Sequence, residues 1–289
     1  MVQPPPSDEH PRPGGLRSAL SAERVKLVRP LGWVVLAGLG AVTALAALVY
    51  RFAEQPRDPG TIHNGFGCLA YSAGIGFWVG ALALVVYGSL LVVSERSWGT
   101  AAMGLLQGQR RRDFYMAKVL VLLGAVLLLF AVVSAAAWGS AAVLYGFGDV
   151  VEEIPYGSEV LHYKHHSCGS MVERSVLAFA LTLPPLLGCG VLGFLCSVVL
   201  GRTATALGTA VFAYFTLEFF LKRFTDDLSD LLFNAYTDRF LETLLALARG
   251  ISTAAFSGRE IALSLAGSLG FAILSLVLSF IVFSRQDID

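Results

Sequence analysis

Charge is scarce in this 289-residue chain: only 15% of its residues are Asp, Glu, Lys or Arg, against about a quarter in an ordinary soluble domain. The 21 basic residues balance the 21 acidic ones, so no surplus charge points to nucleic acid as a partner. Four cysteines are too few for a disulfide scaffold. There is no G-x-x-x-x-G-K-[ST] loop to cradle a nucleotide phosphate, no H-E-x-x-H zinc motif and no G-x-S-x-G nucleophile elbow. No catalytic residue, metal or cofactor is therefore expected in this chain, and it is not read as an enzyme. What is abundant is apolar side chain, at 55% of residues and a mean hydropathy of +0.67. A soluble globule of this length could not hide so much. The composition predicts an integral membrane protein.

Crossing about 30 Å of hydrocarbon takes roughly 20 helical residues. Uncharged runs cover 31–50, 59–94, 119–148, 175–201 and 261–284, and a shorter one, 203–217, extends through Glu218 to Leu221. They predict an all-α membrane bundle of six spans at about 31–50, 69–94, 119–147, 175–200, 203–221 and 261–284. Continuous Leu/Ala/Val/Gly runs favour helices over a barrel of short alternating strands.

Six spans put both termini on one side. That side, with residues 1–30, 95–118, Arg202 and 285–289, holds 12 basic and 7 acidic residues, and the other holds 9 and 14. By the positive-inside bias, both termini are expected in the cytoplasm, in the cell's inner (plasma) membrane. The expected layout is a disordered proline-rich tail (1–15) and a transmembrane domain (16–289). Its outer loops are 51–68, 148–174 and 222–259, and its long cytoplasmic loop is 95–118. Leu16, Leu20 and Leu27 share a helical face before the first span and suggest a helix lying on the inner surface. In the last outer loop Phe240, Leu241, Leu244, Leu245 and Ala248 share another, expected to rest on the interface or cap the bundle.

Few residues within the spans carry chemistry. Glu218 is the acid nearest to hydrocarbon, and is expected to snorkel outward or pair with Lys222 at i+4. His162, His165 and His166, close to Glu159 and Cys168, are of types that hold zinc or copper. An exposed polar loop accounts for them better, so they stand as weak metal candidates. Cys68 and Cys168 both fall on the outer side, and could form a disulfide if their Cα atoms lie about 5–6 Å apart. Pro184-Pro185 should kink or break the fourth span. Gly76-x-x-x-Gly80 and the cluster Gly188, Gly190, Gly193 should admit a neighbouring helix closely.

One stretch carries a family pattern. Val92-Val93-Ser94-Glu95-Arg96-Ser97-Trp98-Gly99-Thr100, then Leu105-Leu106, then Arg110-Arg111-Arg112 and Lys118, resembles the cytoplasmic loop of type-2 ATP-binding-cassette (ABC) exporter permeases. The polar run Ser21–Leu27 before the first span, the tail Phe283–Ile288 after the last, and the six-span layout agree with it. Gln107-Gly108-Gln109 departs from it, because family members often carry a proline there.

The resemblance implies that 95–118 is a coupling loop docking on a separate ABC ATPase subunit, with Glu95, Gly99, Thr100, Arg110, Arg111, Arg112 and Lys118 as its working residues. It implies ATP and magnesium on that partner, a second permease subunit (identical or not), and contact with membrane lipid. The function so implied is export through the membrane subunit of an ABC transporter. The alternative is a membrane scaffold or sensor component of the same architecture that moves nothing. The transported molecule is not legible.

Overall fold

In the computed structural model the described residues are 20, 30–53, 64–97, 110–156, 159–221, 236–250 and 258–286. The proline-rich tail, the interfacial helix expected before the first span (save Leu20), and Gly99 and Thr100 lie outside them. The elements in chain order are α1 (Pro30–Ala53), α2 (Gly65–Leu90), α3 (Val93–Ser97), α4 (Arg111–Leu144), β1 (Val150–Tyr156), β2 (Glu159–His166), α5 (Cys168–Val199), α6 (Thr203–Phe215), a π-helical turn (Thr216–Leu221), α7 (Tyr236–Ala248) and α8 (Gly258–Arg285). Five helical segments are long and apolar enough to cross a membrane: 32–52, 65–97, 111–144, 168–199 and 258–285. The protein is a helical, multi-pass membrane protein. The run expected as a further span, 203–221, is divided between α6 and the π-helical turn, which holds Glu218.

α2 and α5 form the buried centre, whereas α1, α4 and α8 turn Val, Leu and Ile outward, including Val34, Leu45, Leu127, Ile273 and Leu274. Outward apolar faces are what hydrocarbon solvates. The α2–α5 crossing depends on glycine. A Cβ on Gly88 would run into the backbone of Gly190 and Phe194, and one on Gly193 into the backbone of Val85 and Ser89. The two backbones thus approach with no side chain between them. Gly76 and Gly80 instead receive side chains closely, Thr43 of α1 and Val133 of α4 at the first and Leu129 of α4 at the second, as their spacing predicts. Pro184 and Pro185 remove two helical N–H donors, yet α5 runs unbroken through them. It packs against α2, α7 and α8.

Tyr50, near the end of α1, meets Gly67 and Tyr71 near the start of α2, so these helices are antiparallel. The opposite end of the bundle gathers the start of α4, the end of α5 and the end of α8. We call it the basic end, after Arg110–Arg112. At the far end sits α7, with Phe240, Leu241, Leu244, Leu247 and Ala248 buried. It packs on α2 and α5, and Asn64 Nδ2 donates to the Ala248 carbonyl at 2.8 Å.

Three expectations are corrected here. The outer segment 148–174 is not loop throughout but contains an antiparallel hairpin, pairing Val150 with His166 through Tyr156 with Glu159. The hairpin is an addition to a membrane fold that is otherwise helical among the described residues. The β-branched and tyrosine-rich strands favour pairing, and the register slips at Ile154/Pro155, where proline offers no N–H to the ladder. Secondly, 95–118 is helical at both ends: Glu95 lies in α3 and Lys118 lies eight residues into α4. Hydropathy marks where hydrocarbon ends, whereas a helix continues into polar sequence until its backbone finds a stop. Thirdly, Cys68 and Cys168 are not joined, and all four thiols are free. Cys68 is buried with Sγ towards the Ala47 carbonyl of α1, whereas Cys168 opens α5, its N–H held by Asp149.

Candidate functional site

The densest polar constellation among the described residues lies at the basic end, where α3, α4, α5 and α8 meet. It begins with a break in a helix. At Leu91 the N–H turns back to Gly88 O at 3.2 Å, a tightened i→i−3 bond. The next two donors, Val92 N–H and Val93 N–H, leave the helix and both go to Ser197 Oγ of α5, each at 2.9 Å. One hydroxyl thus satisfies two otherwise orphaned buried donors. α3 restarts beyond it, with Arg96 N–H bonded to Val92 O.

The break aims Glu95 inward. Its Oε1 accepts from Lys118 Nζ at 2.5 Å, with the lysine side chain 2% and the carboxylate side chain 11% exposed. Lys118 also sits 5.3 Å from the ring centre of Phe114, a cation–π contact, and Phe114 stacks on Phe283 of α8. A buried pair of this kind adds little net stability over an apolar one, because both charges must be desolvated. What it does in the structure is tie α3 to α4.

Arg96 ties the same elements to α8. Its Nη1 donates to Val198 O at 3.3 Å and its Nη2 to Gln286 Oε1 at 2.5 Å, while Gln286 Nε2 donates to the same Val198 carbonyl at 3.1 Å. The cation stands where the last turn of α5 leaves carbonyls unpaired. Its guanidinium lies 5.7 Å from the Phe283 ring centre. Arg111 Nη1 reaches the carbonyls of Ser284 and Gln286, and Tyr115 Oη donates to Leu276 O at 2.7 Å beside Ser279 Oγ. Four elements are thereby held by side-chain bonds at one end of the bundle.

Of the residues singled out from sequence, Glu95 and Lys118 come together. Arg111 is exposed and tied to the end of α8, and Arg110 and Arg112 are exposed. The outer candidates do not converge. His165 is exposed and His166 buried, because successive strand residues face opposite ways. His162 lies opposite Ile154. Among the described residues no group of three His, Cys, Asp or Glu is placed to hold a metal. Sequence reading did not find Ser197, Tyr115 or Gln286 as site residues. A serine closing an apolar helix or a glutamine past a last arginine carries no pattern that names its partner.

One expected outcome follows locally. Ser197→Ala strands two buried N–H groups and should lower stability by about 1–3 kcal/mol. Hydrogen exchange of the Val92 and Val93 amides should accelerate while that of α2 before Gly88 does not. Unchanged exchange at both amides would refute the assignment of the break to Ser197.

The chain belongs to a family described as "Protein of unknown function (DUF2705)", whose model matches residues 43–288. No curated protein matches the sequence.

Proposed function

We propose that this chain is the membrane-spanning permease subunit of an ABC exporter. It works as a dimer of membrane subunits and takes its energy from separate ATPase subunits that bind ATP and magnesium. The observation that carries this reading is the clamping of segment 95–118 at both ends by the Glu95–Lys118 ion pair, with Arg110 and Arg112 exposed between them. A segment docking on a moving partner must be anchored where it joins the bundle, or the motion is lost in flexing. Here the anchor reaches α5 through Ser197 and α8 through Arg96 and Gln286.

In this reading there are six spans. α6 and the π-helical turn together supply the fifth, since 203–221 at about 1.5 Å per residue reaches roughly 28 Å. The basic end faces the cytoplasm with both termini, following the positive-inside bias, in the plasma membrane. Arg110 and Arg112 offer charge to acidic groups on the ATPase.

Affinity purification of the full chain in mild detergent, followed by mass spectrometry, tests the reading. A stoichiometric ATPase subunit should co-elute, and it should be lost from an Arg110→Glu/Arg112→Glu variant that still inserts and elutes normally. A preparation free of ATPase even after crosslinking would overturn the reading in favour of a non-transporting membrane scaffold.

A further inference from the structure

The far end of the bundle holds a feature that the coupling segment does not explain. An open groove of about 330 Å³, which we call the cavity, lies between α2 and α7. Its α2 wall is Tyr71, Gly74, Ile75 and Trp78, and α7 contributes Glu242 and Leu245. The α2 residues lie at i, i+3, i+4 and i+7, on one helical face. Gly74 leaves the middle of that face empty, since a Cβ there would meet nothing within 4 Å. The wall is therefore recessed between two aromatic rings. Tyr71 is held by Tyr50 of α1, with ring centres 5.4 Å apart, so it does not need to be ordered by a ligand.

Among the described residues, the charge of this lining has one sign. Glu242 is the one carboxylate or cationic side chain among the described residues of that lining. It is exposed, and its carboxylate has no hydrogen-bond or ion-pair partner among the described residues. The cation nearest in the helix, Arg239, is turned to Glu260 of α8 at 2.7 Å. Aromatic faces attract cations and tolerate apolar groups, and an unpaired carboxylate repels anions. Most small-molecule sites have this form, an apolar hollow with a few placed polar groups.

We propose that this cavity binds an organic cation with an apolar body, its charge set against Glu242 and the rings of Tyr71 and Trp78. The site goes beyond the permease reading and does not depend on it, because binding is a property of this chain alone.

The test uses purified full-length protein in detergent and radiolabelled tetraphenylphosphonium, with tetraphenylborate as a probe of the same shape and opposite charge. Equilibrium dialysis should show saturable binding of the phosphonium and none of the borate. Glu242→Gln, a change on an exposed side chain, should weaken binding about fivefold, the upper range for a pair in contact with water. Gly74→Leu should abolish saturable binding by filling the recess while leaving the elution profile unchanged. Equal affinity in wild type and Glu242→Gln, or borate competing as well as phosphonium, would overturn the proposal.

Discussion

Lys118→Met should destabilise this protein by about 3–5 kcal/mol, because it leaves the Glu95 carboxylate buried with its cation gone. Lys118 is 2% exposed, so water cannot take over the lysine's role. In detergent the unfolding midpoint should fall on the order of 10 °C. The double variant Glu95→Leu/Lys118→Met should recover most of that loss, since apolar residues of similar volume replace buried ion pairs at little or no cost. The comparison separates stability from register. Under the permease reading, the repaired double variant remains folded but should couple ATP hydrolysis to transport poorly, because a polar pair specifies one alignment of α3 on α4 and an apolar contact tolerates several. A Lys118→Met protein melting with the wild type would show that the pair is not formed.

The second large effect is expected at the α2–α5 crossing. Gly193→Ala adds one methyl group, but that methyl meets the backbone of Val85 and Ser89, and backbone cannot rotate aside as a side chain can. The helices must separate along their contact, and the packing of core residues they carry, Leu84, Val85, Leu186 and Cys189 among them, loosens with them. The expected cost is about 3 kcal/mol or more, at or above the usual range for overpacking. Little protein should elute as a monodisperse species. Gly88→Ala should behave alike, because its Cβ would meet Gly190 and Phe194. Gly124→Ala, where a Cβ meets nothing within 4 Å, is the control and should be neutral or slightly stabilising, as alanine is the better helix former. Normal yield and melting of Gly193→Ala would mean that the two helices are not in backbone contact.

Much of the fold was legible because hydropathy is a property of segments. The apolar runs at 31–50, 119–148, 175–201 and 261–284 reappear as α1, α4, α5 and α8, since any 20-residue apolar run must be screened from water whatever its neighbours do. The amphipathic run after Asp238 could be read for the same reason: its period of 3.6 marks one face for burial, and that face packs on α2 and α5. Helix ends were harder to place. α4 starts at Arg111 rather than near Val119, because hydrogen-bond geometry, not hydropathy, terminates a helix. The 150–166 hairpin was missed because its strands are short and embedded in polar sequence, where periodicity is a weak signal.

The candidate site divides in the same way. Glu95, Lys118 and the basic triad could be singled out from the order of residue types alone, through the resemblance that their stretch carries. Their pairing could not. Whether Glu95 meets Lys118, Arg96 meets Gln286, or Ser197 receives Val92 depends on how each helix is rotated and slid against the others. That alignment is set by contacts such as Gly88 with Gly190 and Gly193 with Val85, between residues about a hundred positions apart. The same holds for Cys68 and Cys168, which share an end of the bundle yet are not joined. By itself, then, the sequence determined a membrane-embedded helical chain, the order of its apolar segments and the basic character of one end, because each follows from the solvation of a segment taken alone. The tertiary structure decided the broken helix at Leu91–Val92, the clamp between α3 and α4 and the cavity beside Glu242, because these depend on the relative rotation and register of helices, which packing alone sets.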